Sequence, residues 1–401
     1  MKIQRCKGMR DMSPVDMAMF HRLEGICRDC FIKWGYREVR TPTIEYLHLF
    51  TSAGTLTPTM LGKVYSFLDW DGWSGERVVL RPDGTIPVAR LYTETMSGQG
   101  LARLFYAANM FTFEIGDKNR ERWQCGAELI GAGSAIADVE LMALSMEIAN
   151  KLGLKDVELR LSHAGILKAL LAKLKLNPEE RQKILDSILD GDTTILAKAS
   201  RSIPGLSDLL SIKGQSPGFL RENRAALCRA LPEIKPSLDD FLDTTAVLES
   251  LDIKFDTNIA SGAGFEYYTG VIFQLFMGKE KIGGGGRYDA LIPSMGGGDV
   301  PASGFAIYLD RLIKLAKIKL PPPAEKILVK GSNAIVVFKI ASALRKSGFI
   351  AEIDLDGKSA DWTLEVKNDG TLSLTNKAKS RRTEVRSVPE VIRFLEVQRA
   401  A

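Results

Sequence analysis

Apolar and polar positions divide this chain into recognisable elements. Ser13-Pro14-Val15-Asp16 reads as a helix start, with a hydroxyl cap, proline at the first helical position and an acid in the first turn. That helix is expected to run to Trp34 and stop at Gly35. Residues 36–40 predict a short strand ended by Pro42, and the β-formers at 78–80, 104–106 and 127–130 predict three more. Residues 138–152 are helical in composition with Gly153 as stop, and 157–161 alternate apolar and charged side chains, the strand pattern. From 164 to about 251 strand formers thin out. This stretch predicts a helical insert, with a second start signal at Asn177-Pro178-Glu179-Glu180. Strand character returns at 267–277, glycine runs follow at 283–286 and 296–298, and 306–317 predicts a closing helix.

Pro321-Pro322-Pro323 is a stiff linker and the clearest boundary in the chain. Beyond it the pattern predicts a small α/β unit. Its strands are expected at 327–329, 351–355, 362–366 and 371–374, the last two flanking the turn signal Asn368-Asp369-Gly370. Helices are expected at 335–347, stopped by Gly348, and from Ser387-Val388-Pro389-Glu390 onward. The expected organisation is α+β, with a domain at 1–320 and a small α/β domain at 326–401.

Composition narrows the class. The chain has 401 residues, 45% hydrophobic and 26% charged, which is globular and long enough for two or three domains. No apolar run approaches the ~18 residues of a membrane span, and the polar N-terminus predicts no signal peptide. Lys plus Arg number 54 against 49 acids, a mild excess that argues against a dedicated nucleic-acid binder. Five scattered cysteines suit a reducing cytoplasm. Cys27-x-x-Cys30 lacks two further zinc ligands at matching spacing, and His21, His48 and His163 form no ligand pair. No metal or cofactor is therefore expected, and neither a zinc hydrolase nor a His-based triad fits.

Several constellations could carry chemistry. The run Gly283-Gly284-Gly285-Gly286 leads into Arg287-Tyr288-Asp289; it is neither a P-loop nor a dinucleotide fingerprint. It reads equally as tight turns or as close backbone approach to a ligand. Arg81-Pro82-Asp83-Gly84-Thr85 follows a strand, and Asp83 with Thr85 suits an ammonium group. Gln124 and Glu128, four apart, share a face or flank a bend, and Glu266-Tyr267-Tyr268 precedes the glycine run. Singly, each is commonly a surface or core residue; their order carries the information.

That order resembles the histidyl-tRNA synthetase catalytic domain, a class II synthetase fold with an antiparallel sheet. Lys7-Gly8-Met9-Arg10-Asp11 with Pro14 is similar to the family's N-terminal peptide, and Gly35-Tyr36-x-Glu38-Val39-x-Thr41-Pro42-x-x-Glu45 to motif 1, the dimer-interface element. The stretch from Leu80 to Arg90 resembles the run before motif 2. Phe105-Tyr106 through Gln124-x-Gly126-x-Glu128-Leu129-Ile130-Gly131 resembles motif 2 itself. Glu266-Tyr267-Tyr268-Thr269-Gly270 and Gly285-Gly286-Arg287-Tyr288-Asp289 look like the two histidine-specific peptides, and Gly304-Phe305-Ala306 through Asp310-Arg311-Leu312 like motif 3. The resemblance spans roughly residues 1–320. It implies that Asp83 and Thr85 take an α-ammonium group with Gln124 and Glu128 beside them, and that Tyr267 and Tyr268 line an imidazole pocket.

Two departures bear on function. Synthetases of this family carry an arginine after the motif 2 phenylalanine; here Phe111 is followed by Thr112. A neutral hydroxyl cannot make the bidentate charged contact that phosphoryl chemistry uses. A second family arginine, before the first histidine peptide, is Ala263 here. Losing one such electrostatic stabiliser costs about 10²–10³ in rate. Arg120 and Arg311 remain as candidate anion-binding residues. The pattern is similar to the regulatory subunits of ATP phosphoribosyltransferase. That resemblance implies no catalytic residues, a hetero-oligomer with the short-form catalytic subunit, L-histidine as effector and a homodimer through motif 1. The alternatives are a divergent synthetase that adenylates an amino acid and a tRNA-binding scaffold. The 326–401 unit looks like a shortened anticodon-binding domain. Its basic cluster Lys377, Lys379, Arg381 and Arg382 reads more simply as a solvated face than as a tRNA site.

Overall fold

The computed structural model describes residues 3–52, 61–70, 75–114, 119–174, 176–177, 179–180, 183–184, 213–215, 217–259, 268–321, 324–357, 360–378 and 381–400. The chain forms two compact units, Met1–Lys319 and Leu320–Ala401.

In the first unit the strands are β1 (Arg37–Glu38), β2 (Ile44–Tyr46), β3 (Ser66–Trp70), β4 (Gly75–Leu80), β5 (Ala102–Phe111), β6 (Glu121–Ile130), β7 (Val157–His163), β8 (Lys213–Gln215), β9 (Asp256–Asn258), β10 (Val271–Met277), β11 (Glu280–Arg287) and β12 (Ala302–Tyr308). Nine form one sheet in the order β1-β5-β6-β12-β11-β10-β7-β9-β8, and β2-β4-β3 make a small second sheet. Within the large sheet β1–β5 and β7–β9 pair in parallel, whereas the central ladder from β5 to β7 is antiparallel.

Alternation along the strands separates two faces. Phe105, Cys125, Ala127, Leu129, Phe273 and Phe305 point to one side and are buried with the apolar stripes of the helices Pro14–Lys33 and Ala135–Lys151. Phe31 stacks on Phe105 at 4.9 Å between ring centres. Leu104, Tyr106 and Ala108 point the other way, into a second cluster with Ile86, Val88 and Tyr92 of the helix Thr85–Thr95.

The long first helix starts at the anticipated cap. Ser13 accepts from the Asp16 amide while Asp16 accepts from the Ser13 amide at 3.1 Å, a complete capping box. Cys27 and Cys30 lie inside it as buried thiols. Two expectations are corrected, and one open reading is decided. Residues 306–308 end β12, and the closing helix is only Leu309–Leu315. Tertiary pairing overrides local helical composition there, because Phe305 and Ile307 are buried on the sheet. The first glycine run is neither turn nor loop but the body of β11. A side chain at Gly285 would overlap the backbone of β12, so only glycine allows so close an approach. The insert is also not wholly helical: with the helices Ala164–Lys173, Gly218–Ala230 and Lys235–Ser250 it contains β8. Residues 181–182 and 185–212 of it, with Pro178 of the second start signal, lie outside the described residues.

The second unit has five strands, β13 (Lys326–Gly331), β14 (Ile350–Ile353), β15 (Trp362–Val366), β16 (Leu372–Asn376) and β17 (Arg381–Val385), in the order β14-β13-β15-β16-β17. The helices Ala334–Lys346 and Val388–Ala400 contribute Val337, Leu344, Val391 and Leu395 to a core with Ile327, Val329, Leu364 and Leu374.

Candidate functional site

β6 places Gln124, Gly126 and Glu128 on one face, since alternate residues point the same way. Glu128 stands opposite Gly304 of β12, which in turn stands opposite Gly286 of β11. The face is therefore a floor of glycines, each leaving room for a neighbouring side chain. A Cβ on Gly304 would overlap the Glu128 carboxylate, and one on Gly84 or Gly126 would overlap the Tyr106 ring. One on Gly286 would lie 2.9 Å from the ring of Tyr268.

Glu128 is fully buried. Its Oε1 accepts from Thr85 Oγ1 at 2.8 Å and its Oε2 from the Tyr288 hydroxyl. Thr85 opens the helix Thr85–Thr95, and Asp83 closes the preceding turn by accepting from the Ile86 amide at 2.9 Å. Gln124 Nε2 donates to the Tyr106 hydroxyl at 3.1 Å. Burial raises the Glu128 carboxyl well above the usual carboxylate range, against the hydrogen bonds from Tyr288 and Thr85, and the Asp83 charge raises it further. Burial also raises Asp83, countered by backbone N–H groups. Tyr106 and Tyr268 are both pushed up, first by burial, with the Asp83 and Glu128 charges adding to it. Among the described residues neither carboxylate makes an ion pair. Two acids and three phenols around a side-chain-free floor suit a small ligand that supplies positive charge and N–H donors.

The structure thus brings together Asp83, Thr85, Glu128 and Tyr268, with Gln124 joined through Tyr106. Tyr267, Glu266 and Ala263 lie outside the described residues. Arg311 stands at the margin: its guanidinium lies 5.2 Å from the centre of the Tyr308 ring, and it donates to the Lys281 carbonyl. Tyr308 is opposite Gln124 on the adjoining strand. Arg120 belongs to another cluster, 4.6 Å over the Phe113 ring and donating to the Glu114 carbonyl at 2.8 Å. Thr112 is partly buried, with its amide bonded to the Arg120 carbonyl at 2.9 Å. Tyr106 and Tyr288 were not singled out as site residues from sequence. Both sit inside the quoted peptides; the register puts Tyr106 opposite Gly126 on the face of Glu128, and the Tyr288 hydroxyl donates to Glu128. Among the described residues no group of three or more His, Cys, Asp or Glu side chains is placed to hold a metal ion, and no helix is long and apolar enough to cross a membrane.

The antiparallel sheet, its helical backing and this site define a class II synthetase type of protein. The model of the histidyl-tRNA synthetase family matches residues 8–312. An ATP phosphoribosyltransferase regulatory subunit from Dehalococcoides mccartyi is 48% identical, over 98% of both chains. A histidine–tRNA ligase from Methanocaldococcus jannaschii is 32% identical over 91% of this chain and 89% of its own. Among solved structures, an ATP phosphoribosyltransferase regulatory subunit/histidyl-tRNA synthetase from Bacillus halodurans superposes with a TM-score of 0.75 at 24% identity. It covers 90% of this chain and 94% of that one, a likeness of fold. The chain belongs to the histidyl-tRNA synthetase family, on the branch of the ATP phosphoribosyltransferase regulatory subunits.

Proposed function

We propose that the chain is a non-catalytic regulatory subunit that activates a short-form ATP phosphoribosyltransferase catalytic subunit, in the first step of histidine biosynthesis, and senses L-histidine. One observation supports this reading: Glu128, Thr85, Asp83 and Tyr288 are gathered on the glycine floor, while Thr112 follows Phe111 where the synthetases it resembles carry an arginine. In this reading Asp83, Thr85 and Gln124 receive the α-ammonium group, and Glu128 with Tyr267, Tyr268 and Tyr288 receives the imidazole. Histidine then acts by binding one state of the hetero-oligomer better than the other, because a ligand shifts an equilibrium only by its differential affinity. A homodimer through the motif 1-like segment belongs to the same reading: Ile44 and Tyr46 on β2 and Phe67 on β3 are exposed apolar side chains of the small sheet. The compartment is the cytoplasm, in keeping with cysteines that are free.

The deciding experiment is phosphoribosyl transfer by the short catalytic subunit with and without this chain, then with histidine added. Stimulation that histidine reverses is expected; no stimulation at any ratio overturns the reading. Histidine-dependent ATP–pyrophosphate exchange is expected to be absent, and robust exchange would instead establish an adenylating ligase.

A further inference from the structure

Behind the site, on the opposite face of the sheet from Glu128, lies a buried charged cluster. Arg287 ends β11. Its guanidinium donates to both oxygens of Asp138, from the helix Ala135–Lys151, and to Asp240 Oδ1 at 3.1 Å, from the helix Lys235–Ser250. Ser303 Oγ of β12 donates to Asp138 Oδ1 at 2.9 Å. His163 Nδ1 accepts from the Gly165 amide at 3.1 Å, which leaves the ring proton on Nε2, 3.0 Å from Asp240 Oδ2. Burial disfavours the charged imidazole. The cluster therefore holds two carboxylates, one guanidinium and a neutral histidine, in a region where the Asp138 and Arg287 side chains are only 3% and 10% exposed.

Buried ion clusters are poor net stabilisers, since desolvation offsets the attraction. What this one does geometrically is specific. The Arg287 carbonyl accepts from the Thr269 amide at 2.7 Å; Thr269 Oγ1 accepts from the Asp289 amide at 2.9 Å; the Tyr288 amide donates to the Ala302 carbonyl at 2.7 Å. A Cβ on Gly270 would lie 3.0 Å from Arg287 Cδ, so the arginine stem lies against that peptide. The Tyr268 carbonyl is held by Lys168 at 2.8 Å, on the helix that His163 caps. Tyr268 and Tyr288 are thus carried by backbone that Arg287 clamps, and two helices behind the sheet hold the clamp.

We propose that Arg287, held between Asp138 and Asp240, is a positioning residue for the ligand site. It fixes the peptides that carry Tyr268 and Tyr288, and so sets the affinity and ring selectivity of the site without touching ligand. This deepens the histidine-sensing reading and rests on it. A site is only as selective as the shell that holds its contacts in place.

The test measures binding of L-histidine and of 1-methyl-L-histidine to the full chain by calorimetry, with thermal melts alongside. Wild type is measured first; no histidine binding there refutes the sensing reading itself. Asp240→Asn keeps shape and removes one charge from the clamp, and Gly270→Ala presses on the Arg287 stem without altering any charge. Each is expected to weaken histidine binding about 10-fold, a loss of roughly 1.4 kcal/mol, and to narrow the preference over the methylated ring. Val247→Ala, on the same helix as Asp240 but outside the cluster, is expected to lower the melting temperature while leaving affinity and preference unchanged. Should wild type bind and the folded variants keep both its affinity and its preference, with only the melting temperature lowered, Arg287 is merely structural and the proposal falls. If Asp240→Asn does not fold, Gly270→Ala decides alone.

Discussion

Glu128 concentrates the cost of having a site at all. Its carboxyl is buried without a basic partner among the described residues and is raised well above its ordinary range, chiefly by desolvation. A carboxyl whose folded-state value is raised contributes stability that is whole below the unfolded value and lost as pH rises through the folded one. Glu128→Gln removes that loss. In urea melts from about pH 4 to about pH 8, spanning the range above a free carboxylate, the variant is therefore expected to gain on the parent steadily as pH rises. It is also expected to lose histidine binding, because an amide cannot ionise to meet an imidazole N–H as a carboxyl can. Parallel pH profiles for parent and variant would show that Glu128 is not held neutral by burial.

At the scale of elements, β11 is the unusual strand, carrying four consecutive glycines where propensity disfavours them. A Cβ on Gly286 would lie 2.5 Å from the Val271 carbonyl, and one on Gly285 would overlap β12. Gly285→Ala is accordingly expected to destabilise the fold by about 1–3 kcal/mol, the usual cost of overpacking, read as a lower urea midpoint at unchanged slope. At the other extreme, Ser13→Ala removes one half of a capping box at an exposed helix end, with an expected loss of about 1 kcal/mol. The contrast explains what was legible in the sequence. The cap at Ser13 and the Gly153 and Gly348 stops are local chemistry, and they read correctly from neighbouring residues. Residues 306–308 and the glycine run read wrongly or ambiguously, because their state is set by ladder partners on other strands. The site divides in the same way. Asp83, Thr85, Glu128 and Tyr268 were found through the order of peptides along the chain. Tyr106 needed the register, and Tyr288 the contact its hydroxyl makes across the fold to Glu128; no single segment encodes either.

At the scale of the whole molecule, the distribution of the site has a direct consequence. Asp83, Thr85, Tyr106, Gln124, Glu128, Tyr268 and Tyr288, with the Arg287 clamp behind them, all belong to Met1–Lys319. Leu320–Ala401 has its own five-stranded sheet and its own apolar core. A unit that buries its own core does not need the other to fold. A chain ended after Lys319 is therefore expected to bind histidine within about 2-fold of the full chain, well under the 1.4 kcal/mol of a tenfold change, and to keep its ring preference. Loss of binding in a truncated chain that still melts cooperatively would mean that the C-terminal unit reaches the site or tunes it. Unchanged binding with lost stimulation of the catalytic subunit would divide the labour: sensing in the synthetase-like unit, and activation dependent on the small α/β unit beyond the triple proline.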